Sequence, residues 1–213
     1  MKKGTLVVIP ARLDSTRLPR KPLLDIHGFP MIYWVAHRIK LAGIVDYVVA
    51  TDSNEILSVC AKYGIPALLT SGKCRNGTER VAEVASLMPY EFYCNVQGDE
   101  PLLNCSNVLA LLGVKNKKNN VFYQAICSYG SEKINEYSVV KTVLLADGSL
   151  PFFTRADIPH SRDSERKFMR YKLLGLYLYS RDLLLRFSTL PTGPLEELEK
   201  VEQLRCTENG ISV

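Results

Sequence analysis

Short blocks of consecutive apolar residues alternate, over the first hundred positions, with longer segments whose apolar side chains recur at helical spacing. Thr5 to Ile9 is the first block, a strand that Pro10 ends. A polar, Pro-rich stretch follows. Pro30 to Leu41 then reads as a helix with Met31, Trp34, Val35 and Ile39 on one face, and Gly43 stops it. Asp46 to Ala50 is the next strand and runs into Thr51-Asp52. Asp52 or Ser53 caps a helix carrying Ile56, Leu57, Val59 and Cys60, which Gly64 ends. Ile65 to Leu69 is a third strand. Asn76 to Met88 is helical with Val81, Val84, Ala85 and Met88 inward, and Glu91 to Val96 is a fourth strand.

Strands alternating with helices predict right-handed crossovers and a mostly parallel sheet. Unbroken apolar strands agree, because such a sheet is covered on both faces. The expected fold is α/β, a Rossmann-like three-layer arrangement. After about residue 128 the pattern changes. Val139 to Leu145 and Leu150 to Thr154 read as a hairpin around Asp147-Gly148. Residues 155–170 are polar and basic, Lys172 to Tyr179 is again a strand, and Pro194 to Arg205 reads as one final helix. That helix turns Leu195, Leu198, Val201 and Leu204 inward, with Glu196, Glu197, Glu199 and Glu202 elsewhere. One domain spans residues 1–213.

Composition narrows the class. The 213 residues carry 27 Lys and Arg against 22 Asp and Glu, and 46% are hydrophobic, which excludes a disordered chain or a fibre. No apolar run approaches the ~20 residues that cross a bilayer. The apolar stretch after Met1-Lys2-Lys3-Gly4 is too short for a signal peptide, so a cytoplasmic protein with six free thiols is expected. The net charge of +5 is dispersed, which favours a small polyanion over nucleic acid or a membrane.

Ligands of open α/β sheets bind at the carboxyl ends of strands, and two such ends carry chemistry. Ile9 to Pro22 places Arg12, Arg17, Arg20 and Lys21 among hydroxyls and prolines. Arg12 supplies a fork and Lys21 a point charge, a pair suited to a triphosphate; the plain alternative is a solvated basic loop. Neither a P-loop nor a dinucleotide fingerprint is present. Asn95 to Pro101 follows the fourth strand, and there Asp99 needs a partner. Mg²⁺ shared with substrate phosphates is a natural one, and a capping role is the alternative.

These motifs resemble those of the 3-deoxy-manno-octulosonate (Kdo) cytidylyltransferases, the CMP-Kdo synthetases. The resemblance rests on Ile9-Pro10-Ala11-Arg12, Ser15-Thr16-Arg17-Leu18-Pro19, Lys21-Pro22-Leu23, Ala50-Thr51-Asp52 and Asn76 to Glu83. Asn95 to Pro101, Val140-Lys141, Thr154 to Pro159, Gly175-Leu176-Tyr177 and the Pro194 to Arg205 region complete it, in family order along the whole chain. It implies that the anomeric hydroxyl of a keto-deoxy sugar acid attacks the α-phosphate of CTP, giving a CMP-sugar and pyrophosphate. Arg12, Lys21 and Asp99 would be the catalytic group, with Mg²⁺ on Asp99. Pro10, Ala11, Arg12, Lys21, Arg75, Asn76, Gly77 and Arg80 would bind the nucleotide. Gln97, Lys141, Arg155, Tyr177 and Glu202 would face the sugar, with Arg155 as the cation for the sugar's carboxylate. Bland readings stand beside some of these: a surface arginine for Arg155, a core tyrosine for Tyr177, a solvated helical glutamate for Glu202. A homodimer is implied, with residues from about 128 to 190 building the sugar pocket and the dimer contact.

Four departures from the family pattern bear on these expectations. Arg20 stands where the family usually has Gly, and Asn76 where it often has Ser. Leu173 occupies the position of a pocket histidine, which makes a relative such as 8-amino-Kdo an alternative sugar. The family pattern also continues into a Val-Asp-Thr-Pro-Glu-Asp-Leu motif with a second metal-binding aspartate, beyond Val213. A CTP-binding protein of the same fold with little or no catalysis is therefore the competing expectation.

Overall fold

The computed structural model describes residues 2–13, 18–130, 136–162 and 169–213, so Arg17 and the Ser15-Thr16 part of the first motif lie outside the described residues. In chain order the strands and helices are β1 (Lys2–Ala11), β2 (Asp25–Ile26), β3 (Phe29–Pro30), α1 (Met31–Leu41), β4 (Tyr47–Thr51), α2 (Asn54–Lys62), β5 (Ala67–Leu69), α3 (Gly77–Leu87) and β6 (Tyr90–Val96). They continue as α4 (Cys105–Leu112), β7 (Tyr123–Gly130), β8 (Lys141–Thr142), β9 (Phe153–Thr154), β10 (Arg170–Ser180), α5 (Arg181–Thr189), α6 (Pro194–Glu199) and α7 (Gln203–Glu208).

The main sheet runs β5-β4-β1-β6-β10-β8-β9, with β7 also paired to β10. Its first four strands are parallel. β10 reverses direction against β6 and carries β7 and β8 as antiparallel neighbours. Side chains of β1 alternate between two cores, as a pleated strand requires. Val7 and Ile9 pack with Ile32, Val35 and Ile39 of α1 and Ile56 and Cys60 of α2. Leu6 and Val8 pack on the opposite face with Val81 and Val84 of α3 and Leu183, Leu184 and Phe187 of α5. Helices therefore cover both faces, the three-layer α/β arrangement that the apolar strands predict.

The helix starts follow their caps. Ser53 Oγ accepts from Ile56 N at 3.4 Å, and Asn76 Oδ1 accepts from Glu79 N at 2.8 Å. The hairpin forms at Asp147-Gly148, with Gly148 N donating to Leu145 O at 3.0 Å, although its strands β8 and β9 are only two residues each.

Three expectations change. Pro10 does not end the first strand: β1 continues through it, pairing Pro10 with Ala50 and Ala11 with Thr51. The β6 ladder has stopped by then, at Val8↔Asn95, so proline's missing N–H falls where that edge is unpaired. The Pro-rich stretch contains a small hairpin, β2 and β3, turned by His27-Gly28. The last helix is two helices. Lys200 adopts a left-handed conformation (φ 54°) and closes α6 with its N–H on Glu196 O at 2.8 Å. The break inverts the expected face of α6: Glu196 is buried while Leu198 is 80% exposed. Val201 and Leu204 are buried as expected.

Candidate active site

β1 connects through α1 to β4 on one side, and the chain later crosses to β6 on the other, so the strand order reverses between β1 and β6. At the carboxyl ends of these two strands lies a cleft of about 1170 Å³. Pro10, Ala11 and Arg12 line it from β1, Gln97 and Glu100 from the end of β6, and Arg75, Asn76, Gly77 and Arg80 from the start of α3. Arg155, Tyr177 and Glu202 line the same cleft from the second half of the chain. Of the expected site residues, Lys21, Asp99 and Lys141 are outside this wall.

On the α3 side, cations are held by carboxylates. The Arg80 guanidinium is buried, donating to Asp52 Oδ2 at 2.6 Å and Thr70 Oγ1 at 2.5 Å. This explains the chemistry of the Thr51-Asp52 strand end: Asp52 orients Arg80. Arg75 Nε donates to Glu79 Oε1 at 2.8 Å and its Nη1 to Thr192 Oγ1 at 2.8 Å, leaving an exposed cation at the cleft margin. Glu79 also receives Arg205 Nη1 at 2.9 Å, and Arg205 makes a two-point contact with Glu196 at 2.7 and 2.6 Å. These contacts hold the Glu79 carboxyl below its ordinary value, though burial opposes them.

The opposite wall comes from β10, α6 and α7. Glu202 Oε2 accepts from Thr78 N, at the positive end of α3, at 3.2 Å. Burial nevertheless pushes the Glu202 carboxyl up to about 7. The same burial raises Tyr177, whose phenol stays protonated. Arg155 is engaged with the main chain, not standing free for a carboxylate. Its guanidinium donates to the carbonyls of Glu199 and Tyr137, both at 2.7 Å, and of Ser138 and Lys200 at longer range. Lys141 is 1% exposed, and its Nζ donates to the carbonyls of Glu136 at 2.9 Å and Arg155 at 2.7 Å. It braces the wall from behind. Leu173 lines the cleft as an apolar contact, joined by Lys172 and Gln203, two lining residues that the motif reading did not single out. Gln203 opens α7, just beyond the helix break at Lys200.

Lys21 and Asp99 meet beside Glu100, with Lys21 Nζ 2.6 Å from Asp99 Oδ2. Glu100 Oε1 accepts from Gly175 N at 3.0 Å, and Gln97 N donates to Gly175 O at 3.1 Å. A Cβ on Gly175 would fall 2.4 Å from Glu100 Oε1 and 2.8 Å from Gln97 Cγ, so only glycine lets β10 approach this loop. Burial, and then the Asp99 charge, raise the Glu100 carboxyl. Asp99 offers a half-exposed hard oxygen donor. Among the described residues no three acidic, His or Cys side chains gather to hold a metal alone. That donor set fits Mg²⁺, which takes one or two carboxylates and completes its shell with phosphates and water.

The architecture and its cleft have known counterparts. The family model described as Cytidylyltransferase matches residues 6–213. The 3-deoxy-manno-octulosonate cytidylyltransferase of Acidobacterium capsulatum is 41% identical over 99% of this chain and 86% of its own length. That of Polynucleobacter necessarius subsp. necessarius is 43% identical over 98% of this chain and 85% of its own. A solved CMP:2-keto-3-deoxy-manno-octonic acid synthetase, complexed with CTP, superposes with a TM-score of 0.90 at 35% identity. The superposition covers 98% of this chain and 87% of that one. A Leptospira borgpetersenii cytidylyltransferase at 16% identity and a TM-score of 0.59 shares the fold. The chain, with its first-half motifs and its second-half wall on one cleft, belongs to the 3-deoxy-manno-octulosonate cytidylyltransferase family.

Proposed function

We propose that this protein transfers CMP from CTP to the anomeric hydroxyl of 3-deoxy-manno-octulosonate. The observation that carries the reading is the meeting, on one cleft at the β1/β6 switch point, of the Pro10–Arg12 and Arg75–Arg80 segments with Gln97, Tyr177 and Glu202. The sugar oxygen attacks the α-phosphorus, the bond to the bridging oxygen breaks, and pyrophosphate leaves. Such transfers depend on positioning and charge neutralisation. Arg12 and Lys21 are the cations for the phosphates. Pro10, Ala11, Asn76 and Gly77 form the base and ribose side, with Arg75 and Arg80 held in place by Glu79 and Asp52. Gln97, Tyr177 and Glu202 face the sugar, against a wall that Arg155 and Lys141 keep in shape.

Asp99 would hold Mg²⁺, which supplies positive charge to the triphosphate oxygens. The reading puts the protein in the cytoplasm, where CTP is available. The reading includes a homodimer through the 128–190 region, as the resemblance to the family implies. Leu173 favours a second sugar for comparison, because it offers no hydrogen bond at the cleft wall. Product mass spectrometry with CTP plus either Kdo or 8-amino-Kdo decides between them. The CMP-Kdo mass is expected; the CMP-8-amino-Kdo mass alone would move the substrate assignment to the amino sugar.

A further inference from the structure

Gln97 and Gln203 both line the cleft, and each is held from behind by a second carboxamide. Gln97 Nε2 donates to Asn95 Oδ1 at 3.3 Å, and Asn95 Nδ2 donates in turn to the Tyr179 hydroxyl at 3.0 Å. Gln203 Nε2 donates to Gln124 Oε1 at 2.8 Å, and Gln124 Nε2 donates to the carbonyls of Ala125 at 2.7 Å and Leu174 at 2.8 Å. The two chains run in the same sense. A carboxamide presents either its NH₂ or its oxygen at similar intrinsic cost, so the group behind it decides. Behind Gln203 that group is an amide oxygen, because two main-chain carbonyls take the NH₂ of Gln124; behind Gln97 it is Asn95 Oδ1, with Asn95 Nδ2 on the Tyr179 hydroxyl.

Neither supporting residue forms part of the cleft wall. Asn95 is fully buried on β6 and Tyr179 is fully buried on β10. Gln124 sits on β7 where its register with β10 shifts between Leu173 and Tyr177, and its NH₂ satisfies the Leu174 carbonyl within that shift.

We propose that Asn95 and Gln124 are positioning residues that turn the NH₂ groups of both cleft glutamines away from the cleft, so that the sugar meets two amide oxygens and is recognised through hydroxyls that donate. This rests on the sugar-acid reading of the cleft.

Steady-state kinetics of Asn95→Ala, Gln124→Ala and Gln97→Ala test it, with KM for Kdo and for CTP measured separately and the thermal midpoint recorded. Losing one buried amide contact predicts a rise of about five- to ten-fold in sugar KM for Asn95→Ala and for Gln124→Ala, with CTP KM within about two-fold. An unchanged sugar KM, or equal losses for both substrates, overturns the positioning role. If Gln97→Ala also leaves sugar KM unchanged, the sugar reading itself fails; if Gln97→Ala alone raises it, only the positioning role does. Should Asn95→Ala not fold, Tyr179→Phe removes the acceptor of Asn95 Nδ2 and is read in the same way.

Discussion

Lys21 Nζ lies 2.6 Å from Asp99 Oδ2, joining two motifs 78 residues apart. Lys21 opens a short 3₁₀ turn behind Arg20, which sits in a left-handed conformation and pairs with Glu55 on α2. Asp99 leaves the end of β6. Both charged groups are a third to a half exposed, so their pair contributes no more than about 1 kcal/mol and separates readily when stronger partners arrive.

That balance predicts different losses for the two partners. Asp99→Ala removes Mg²⁺-dependent turnover and moves the thermal midpoint by less than about 2 °C, because the residue serves the ligand and not the core. Lys21→Ala raises CTP Kd by about ten-fold or more and leaves sugar binding nearly unchanged. Calorimetry with each substrate separates the two; equal losses for CTP and sugar would remove Lys21 from the phosphate site.

Glu202 gives a pH prediction. Its folded value near 7 stands above its ordinary 4.5, mainly through burial. Between those values the folded state binds more protons than the unfolded state, so this group's contribution to stability falls as pH rises through that window. Glu202→Gln flattens the fall between about pH 5 and 7 and makes the protein relatively more stable at pH 8. Urea unfolding at several pH values measures it, and an unchanged slope would contradict the burial of this carboxyl.

Gly175→Ala drives a methyl group into Glu100 and Gln97. The overlap costs about 1–3 kcal/mol of stability and displaces the loop that carries Asp99. Turnover falls more than CTP binding does. Wild-type turnover in this variant would show that the β10 contact does not set the loop.

Arg205 is 1% exposed and bonded to both Glu196 and Glu79. Arg205→Leu leaves the buried Glu196 carboxylate without its cation and Glu79 with Arg75, and costs about 3–5 kcal/mol in urea unfolding. Glu79 keeps its pair with Arg75, so CTP affinity in the folded fraction changes less than stability does, as calorimetry measures.

Local patterns made the parallel half of the sheet legible. Its strands are continuous apolar blocks, and Ser53, Asn76, Gly43 and Gly64 mark the helix ends beside them. The second half was harder, because its geometry depends on partners distant in sequence. No local signal makes Lys200 left-handed within a run of helix formers, and that break is what buries Glu196 and brings Glu202 and Gln203 to the cleft. Arg20 is the converse: its departure from the family's usual Gly was visible, and its φ of 56° supplies the physical reason glycine suits the position. Arg155 and Lys141 are cations in the sequence, but long-range carbonyls take up their donors. Asn95 and Gln124 carried no motif signal as supports, since each acts through another side chain.

Pyrophosphate release from CTP plus Kdo, measured across a Mg²⁺ titration for the wild-type protein and Asp99→Ala, is the decisive measurement of this activity. Release is expected to require both substrates and Mg²⁺, and Asp99→Ala abolishes it. Calorimetric CTP binding by the folded wild-type protein, with no pyrophosphate released from Kdo or 8-amino-Kdo, would contradict the proposed activity.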